Sequence, residues 1–288
     1  MSHHSPSASS LTWRIKLVSN PTYATPPGGM PAQTERLVDR AIFTTAYAVI
    51  PREVMRDIVT SAFPHWHATR AWVLARPLSG FAETFSQSIL EIAPGGGSER
   101  PEPDPHAEGA FFVLSGTLAF TVNGQQEVLQ AGGFIWVAPG DRYTVANNQK
   151  VTACCQWIRK SYEAVDGIAT PASFTTSDAD TTPSPMANAK EQWQTTRFMD
   201  PEDMGHDMHI TIVTLAPGAV IPFAETHVME HGLYVLQGKG VYYLNGDWVE
   251  VEAGDFMWLR AFCPQACYAG GTEPFRYLLY KDVNRLPA

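Results

Sequence analysis

Apolar positions along this chain come in short runs, some alternating with polar ones, as in Ala71–Ala75, Ser88–Ile92 and Phe111–Leu114. Gly, Pro and Asn punctuate the runs. Short strands separated by frequent turns are the signature of a barrel or a sandwich. One departure is Ile50–Met55, where Pro51 stands at the first turn of a short helix. The pattern breaks over 161–190. From Thr170 to Pro185 the chain is rich in Ser, Thr, Asp and Pro, which reads as a connector between two halves.

The halves repeat each other. Val113-Leu114-Ser115-Gly116 matches Val235-Leu236-Gln237-Gly238, 122 positions later. The same offset aligns Asn123-Gly124 with Asn245-Gly246, Ala131-Gly132 with Ala253-Gly254, Phe134 with Phe256, and Trp136 with Trp258. Asn-Gly is a strong two-residue hairpin signal. Upstream, Ala93-Pro94-Gly95 matches Ala216-Pro217-Gly218 with a shift of one residue. One turn could coincide, but a whole register does not, so the chain carries two copies of one all-β unit.

Composition narrows the function classes. The 288 residues suffice for one large or two ordinary domains, and 44% hydrophobic content supports a real core. A net charge of −9 argues against nucleic acid and anionic membrane as partners. No apolar run approaches the roughly 18 residues of a spanning helix. Met1–Ser10 is polar, lacks an apolar signal core and reads as a disordered tail. Cys154, Cys155, Cys263 and Cys267 form no CxxC pair, which favours reduced thiols and a cytoplasmic protein.

The candidate chemistry lies in Glu225-Thr226-His227-Val228-Met229-Glu230-His231, three potential metal ligands in seven residues. All three have odd numbers, so one extended stretch would aim Glu225, His227 and His231 into the same barrel. His227 to His231 also matches H-x-x-E-H, an inverted zinc-peptidase motif that requires a helix. Pro217-Gly218 and Pro222 before it, and Gly232 and Gly238 after it, leave little room for one.

With Gly218, Gly238 and the stretch Gly254 to Gln265, these residues resemble the two motifs of the cupin barrel. The set is rearranged, with Glu at the first His position, His at the Glu position and Gln265 in place of the last His. Arg260 and Phe262 replace the Pro and Gly of the second motif. Together with Met208-His209-Ile210, Glu230-His231-Gly232, Gly238-x-Gly240-Val241-Tyr242 and Tyr280-Lys281-Asp282-x-Asn284-Arg285, this resembles the (S)-ureidoglycine aminohydrolase family of bicupins from about Thr34 onward.

The resemblance implies an all-β fold of two tandem jelly-roll barrels with a short N-terminal arm. The expected divisions are a tail over 1–33, an N-terminal barrel over 34–160, a connector over 161–192 and the active barrel over 193–288. It implies one Mn²⁺ per chain on Glu225, His227, His231 and Gln265. Two imidazoles, a carboxylate and an amide oxygen suit Mn²⁺ or Fe²⁺, admit Zn²⁺ and disfavour Cu(I). It also implies a small-molecule substrate, a homo-oligomer and hydrolytic release of ammonia from (S)-ureidoglycine in purine (allantoin) degradation. Tyr242, Tyr277, Lys281 and Glu225 would contact that substrate, and Glu225 and Lys281 would be catalytic. Glu225 could move a proton near the leaving amine, and Lys281 would pair with the carboxylate. Tyr277 and Lys281 share parity on the last strand. The rival reading of two His and one carboxylate is a cupin-type non-haem iron oxygenase acting on a small polar carboxylate.

The first copy has no equivalent ligand set. One register puts Tyr143, Gly109, Pro105 and Pro103 at the ligand positions, and the register shifted by one puts Glu108, Asp104 and Glu102 there. Neither supplies a histidine, so the metal is expected in the C-terminal barrel alone.

Overall fold

The computed structural model describes residues 22–282 apart from Ser79 and Asn188. The expected tail Met1–Ser10 and the motif residues Asn284 and Arg285 lie outside the described residues.

The fold is all-β and doubled. In the first barrel one antiparallel sheet runs Phe174–Ser177, Gly133–Val137, Ala107–Ser115, Ala153–Ser161, Ser86–Ser98, Tyr143–Ala146, Thr117–Val122, Gln125–Gln130. Trp66–Ala75 adds to Ser86–Ser98. In the second, the large sheet carries Phe256–Leu259, His231–Gln237, Phe275–Lys281, His209–Leu215 and Trp193–Arg197 in that order. A smaller sheet of Asp247–Glu252, Lys239–Leu244 and Gln265–Ala269 faces it. The Asn-Gly pairs make the hairpin turns expected of them. Asn123 and Asn245 both have φ of 50°, and Gly124 and Gly246 have φ of 86° and 105°. Two successive positive φ values give the turn whose twist matches the flanking strands.

Pairing register settles the correspondence between copies. Gly109 lies opposite Arg159 as His231 lies opposite Lys281. Val122 lies opposite Tyr143 as Leu244 lies opposite Gln265. Gly109, Tyr143 and Arg159 therefore hold the places of His231, Gln265 and Lys281.

The barrels exchange strands. Tyr47–Ile50 pairs with Phe256–Leu259 of the second barrel, with Ala48 opposite Trp258. Phe174–Ser177, from the segment between the halves, pairs with Gly133–Val137 of the first, with Phe174 opposite Trp136. Asp178 then receives two hydrogen bonds from Arg276 Nη2 at 2.8 and 2.7 Å and one from the Tyr23 hydroxyl at 2.8 Å. The short helix at Pro51 is a single 3-10 turn, Arg52–Val54.

The apolar runs are continuous because the strands are covered on both faces. Leu233, Val235, Tyr277 and Leu279 fill the second barrel, while their neighbours Tyr234, Leu236, Leu278 and Tyr280 face the other way. That second face joins Trp72, Phe85, Phe112 and Trp136 of the first barrel in one shared core. Gly232 lies at a close approach of the two barrels. A Cβ there would meet Gln87 Oε1 and the Phe85 ring at 2.6 Å. All four cysteines are buried free thiols. Among the described residues no helix is long and apolar enough to cross a membrane.

Candidate active site

The site forms where the two sheets of the second barrel meet. The expected single strand over 225–231 is not what the backbone does. Strand structure begins only at His231. Glu225 instead makes an isolated bridge with Gln265, exchanging both backbone hydrogen bonds at 2.9 Å. His227 lies in the irregular segment between, its carbonyl accepting the Phe262 N–H at 2.7 Å. Pro222 and the Phe262 turn prevent a continuous ladder here, since proline supplies no N–H. Parity therefore aims His231 correctly but cannot place Glu225 and His227, which loop geometry positions.

Three of the four expected ligands converge. The Gln265 side-chain amide stands 3.2 Å from His227 Nε2 and 3.4 Å from His231 Nδ1, and the two imidazole centroids are 4.6 Å apart. The remaining ring nitrogens, His227 Nδ1 and His231 Nε2, are buried without a hydrogen-bond partner. Burial is the main reason that both imidazoles stay neutral, and Lys281 adds to it. Neutral imidazole is the form that ligates metal. The donors thus fit a divalent cation in kind. Among the described residues, however, no group of three His, Cys, Asp or Glu side chains is gathered closely enough to hold an ion. The Glu225 carboxylate acts on His227 and Lys281 electrostatically without joining such a cluster.

Lys281 ends the last strand. It is flanked on one side by His209 and on the other by His231, each directly opposite it in the sheet. Residues directly opposite in antiparallel strands point to the same face, so the three form a row at the barrel mouth. Burial lowers the Lys281 pKa, the nearby Arg197 charge lowers it further, and Glu225 opposes both. Among the described residues Lys281 forms no ion pair. Its counterpart Arg159 does, donating through Nε and Nη2 to Glu102 at 2.5 and 2.7 Å.

Tyr242 and Tyr277 lie deeper, their rings 6.0 Å apart and both buried in the barrel core. The Tyr242 hydroxyl meets the Tyr277 and Cys267 side chains in hydrogen-bond contact. Burial pushes both phenols well above their ordinary pKa, with Cys267 adding to each. Cys267 stands directly opposite Tyr242 on the neighbouring strand.

Two functional candidates escaped the assignment of roles from sequence. His209 is buried, its Nε2 without a partner, and its pKa falls to about 4, chiefly through burial and then through Lys281. Its pairing with Lys281 appears only once the strands are ordered. Glu230, beside His231, faces away from the site. Its carboxylate accepts the backbone N–H groups of Glu83 and Thr84 at 2.8 Å, the Thr84 hydroxyl at 2.5 Å and the Trp258 indole N–H at 2.5 Å. Its own N–H donates to Asp282 at 2.7 Å. The first barrel thereby grips the backbone on which His231 and Lys281 sit.

Comparison with known proteins agrees with the doubled fold. The cupin domain family matches residues 88–159 and 211–280. A Pseudomonas aeruginosa crystal structure, of a protein described as glyoxylate-induced, is 60% identical with a TM-score of 0.86, covering 93% of this chain and 98% of that one. The Escherichia coli protein Ylba aligns with a TM-score of 0.76 at 27% identity, covering 88% of this chain and 97% of that one. The (S)-ureidoglycine aminohydrolase of Escherichia coli (strain K12) is 29% identical over 229 residues, 79% of this chain and 86% of the relative.

Proposed function

This chain belongs to the cupin family and is a two-barrel relative of the (S)-ureidoglycine aminohydrolases, and on that premise we propose that it is a metal-dependent hydrolase of (S)-ureidoglycine. The reaction replaces the substrate amine with hydroxyl, giving (S)-ureidoglycolate and ammonia. Relatives of this name in Escherichia coli and Arabidopsis thaliana support that choice of substrate.

The observation that carries the reading is Lys281: a half-buried ammonium in line with a neutral histidine on each side and without an ion-pair partner among the described residues. A desolvated cation is costly unless a ligand completes it. A substrate carboxylate supplies that counter-charge, while the counterpart Arg159 already has one.

Glu225, His227, His231 and Gln265 are the residues that would hold the metal, with the amide turned to present its oxygen. Manganese bound there would lower the pKa of a water and polarise the carbon under attack. Glu225, close enough to act electrostatically on Lys281, moves the proton that the departing amine needs. Tyr242 and Tyr277 close the floor of the site and keep bulk water from the reacting carbon. Water oxygen bonds to the carbon, the carbon–amine bond breaks, and the amine leaves as ammonia.

The direct test supplies freshly generated ureidoglycine to metal-stripped and manganese-loaded protein and follows ammonia and dissolved oxygen. Ammonia release that needs manganese and spares oxygen is expected. Oxygen consumption without ammonia would replace the hydrolase with an oxygenase.

A further inference from the structure

Lys281 does not stand alone at the mouth of the second barrel. His209 lies directly opposite it on one side and His231 on the other. His231 belongs to the donor set, whereas His209 has no part in it. The strand that carries His209 alternates. Val213 and Leu215 fill the second barrel, and Ile210 and Ile212 join the core shared with the first. By that alternation His209 shares the inward face, at the open end. It is 7% exposed, and among the described residues its ring makes no hydrogen bond.

The first barrel shows what the fold itself requires at this point. Ser86 and Gly109 flank Arg159 there as His209 and His231 flank Lys281. Both copies keep the carboxylate–indole pairs Glu108–Trp136 and Glu230–Trp258, but they share none of the three residues of this row. A serine suffices for the scaffold, so the barrel does not impose an imidazole at 209.

The ring's surroundings fix which nitrogen carries the proton. Nε2 is buried without a partner. A buried N–H without an acceptor costs more than a bare lone pair. The neutral ring therefore keeps its proton on Nδ1, the nitrogen left to meet a ligand. The charges of Lys281 and Arg197, only partly opposed by Asp200, make the potential at this ring positive, which favours an anion beside it.

We propose that His209 is a substrate-binding residue: with Lys281 it forms a two-point clamp for a carboxylate, the ammonium taking one oxygen and Nδ1–H the other. The clamp rests on the role proposed above for Lys281 and adds its second donor. An ammonium alone is a point charge that leaves the carboxylate free to swing, whereas a second donor fixes its plane. A neutral donor suffices because Lys281 already supplies the balancing charge.

The experiment titrates the manganese-loaded, full-length protein calorimetrically with hydantoate, which carries a ureido group and a carboxylate but no amine to lose, and with its uncharged primary amide. Ureidoglycine turnover is measured in parallel. His209→Leu removes both ring nitrogens, His209→Asn places an amide nitrogen near Nδ1, and His209→Gln places one near Nε2. The parent is expected to bind hydantoate about tenfold or more tighter than the amide. His209→Leu and His209→Gln are expected to weaken hydantoate about tenfold, the loss of one hydrogen bond to a charged group, and to leave the amide unchanged. His209→Asn is expected to recover most of the affinity, which a space-filling role would not predict, since leucine and glutamine match the ring's volume at least as well. kcat/KM for ureidoglycine should follow the same order. Three results would overturn the proposal: no binding of hydantoate to the parent, undiminished binding by His209→Leu, or rescue by His209→Gln in place of His209→Asn. Protein that binds hydantoate in the expected order but releases no ammonia keeps the clamp and loses the reaction. Turnover with binding indifferent to His209 does the reverse.

Discussion

Glu230 accepts the Trp258 indole N–H at 2.5 Å, and 122 positions earlier Glu108 accepts the Trp136 indole N–H at 2.9 Å. The repeat thus preserves a buried carboxylate–indole pair in each barrel while the pocket residues around it diverge. In the second barrel the same carboxylate crosses the boundary to hold Glu83 and Thr84. Glu230→Ala leaves these buried donors unsatisfied and is expected to cost about 3–5 kcal/mol. Glu230→Gln retains one acceptor oxygen and should cost less. Urea unfolding of both variants checks the order, and equal stability of Glu230→Ala and the parent protein would refute the clamp.

Lys281→Met keeps the apolar stem and removes the charge. A lysine that grips a substrate carboxylate predicts a fall in kcat/KM of about 100-fold or more. Stability should hold or rise, because a desolvated ammonium without an ion-pair partner is removed. Lys281→Arg should not restore activity, since the planar guanidinium does not fit a site made for a point charge. A Met variant that loses stability together with activity would mark Lys281 as structural.

Removing a donor should release metal before it unfolds the barrel. Elemental analysis after manganese loading is expected to give one ion per chain for the parent protein and less for His231→Ala and Gln265→Ala. Manganese at 100 times its Kd should stabilise the parent by about 2.7 kcal/mol and should stabilise these variants less. Unchanged stoichiometry in both variants would exclude this ligand set.

His209 sets an acid limit on the fold. A free histidine takes up its proton near 6.5, whereas burial and the charges of Lys281, His206 and Arg197, only partly opposed by Asp200, bring His209 to about 4. Between those values the unfolded chain binds more protons than the native one. Stability is therefore full above about pH 6.5 and falls as pH drops toward 4, by about 3 kcal/mol. His209→Gln should flatten that slope. An imidazole titration that places His209 near 6.5 in the native protein would contradict the burial argument.

Much of the architecture is legible in the sequence because repetition is a one-dimensional signal. The Asn-Gly turns fix two hairpins, and the offset between Trp136 and Trp258 fixes two copies of one barrel. That the first copy holds no histidine at the ligand positions is also legible, whereas only strand pairing decides that Gly109 and Tyr143 occupy two of them. Strand exchange was not. Phe174–Ser177 lies in the stretch that reads as a connector and Tyr47–Ile50 carries no distinctive pattern, so nothing in either composition says that it will pair across the boundary. The clamp role of Glu230 leaves no local signal either, since its partners are about 146 residues away.

The sequence by itself singled out the candidate donors Glu225, His227, His231, Gln265 and Lys281, in a β-rich repeat whose other half carries no histidine at the matching positions. Only the tertiary structure decided how they meet. An extended strand would have carried Glu225, His227 and His231 on one face by parity, but Glu225 leaves it to bridge Gln265. Only strand order brings Lys281 between His209 and His231, and only burial turns those side chains into neutral imidazoles beside a desolvated ammonium. Side-chain chemistry is written locally, whereas the surroundings that tune it come from residues far away in the chain.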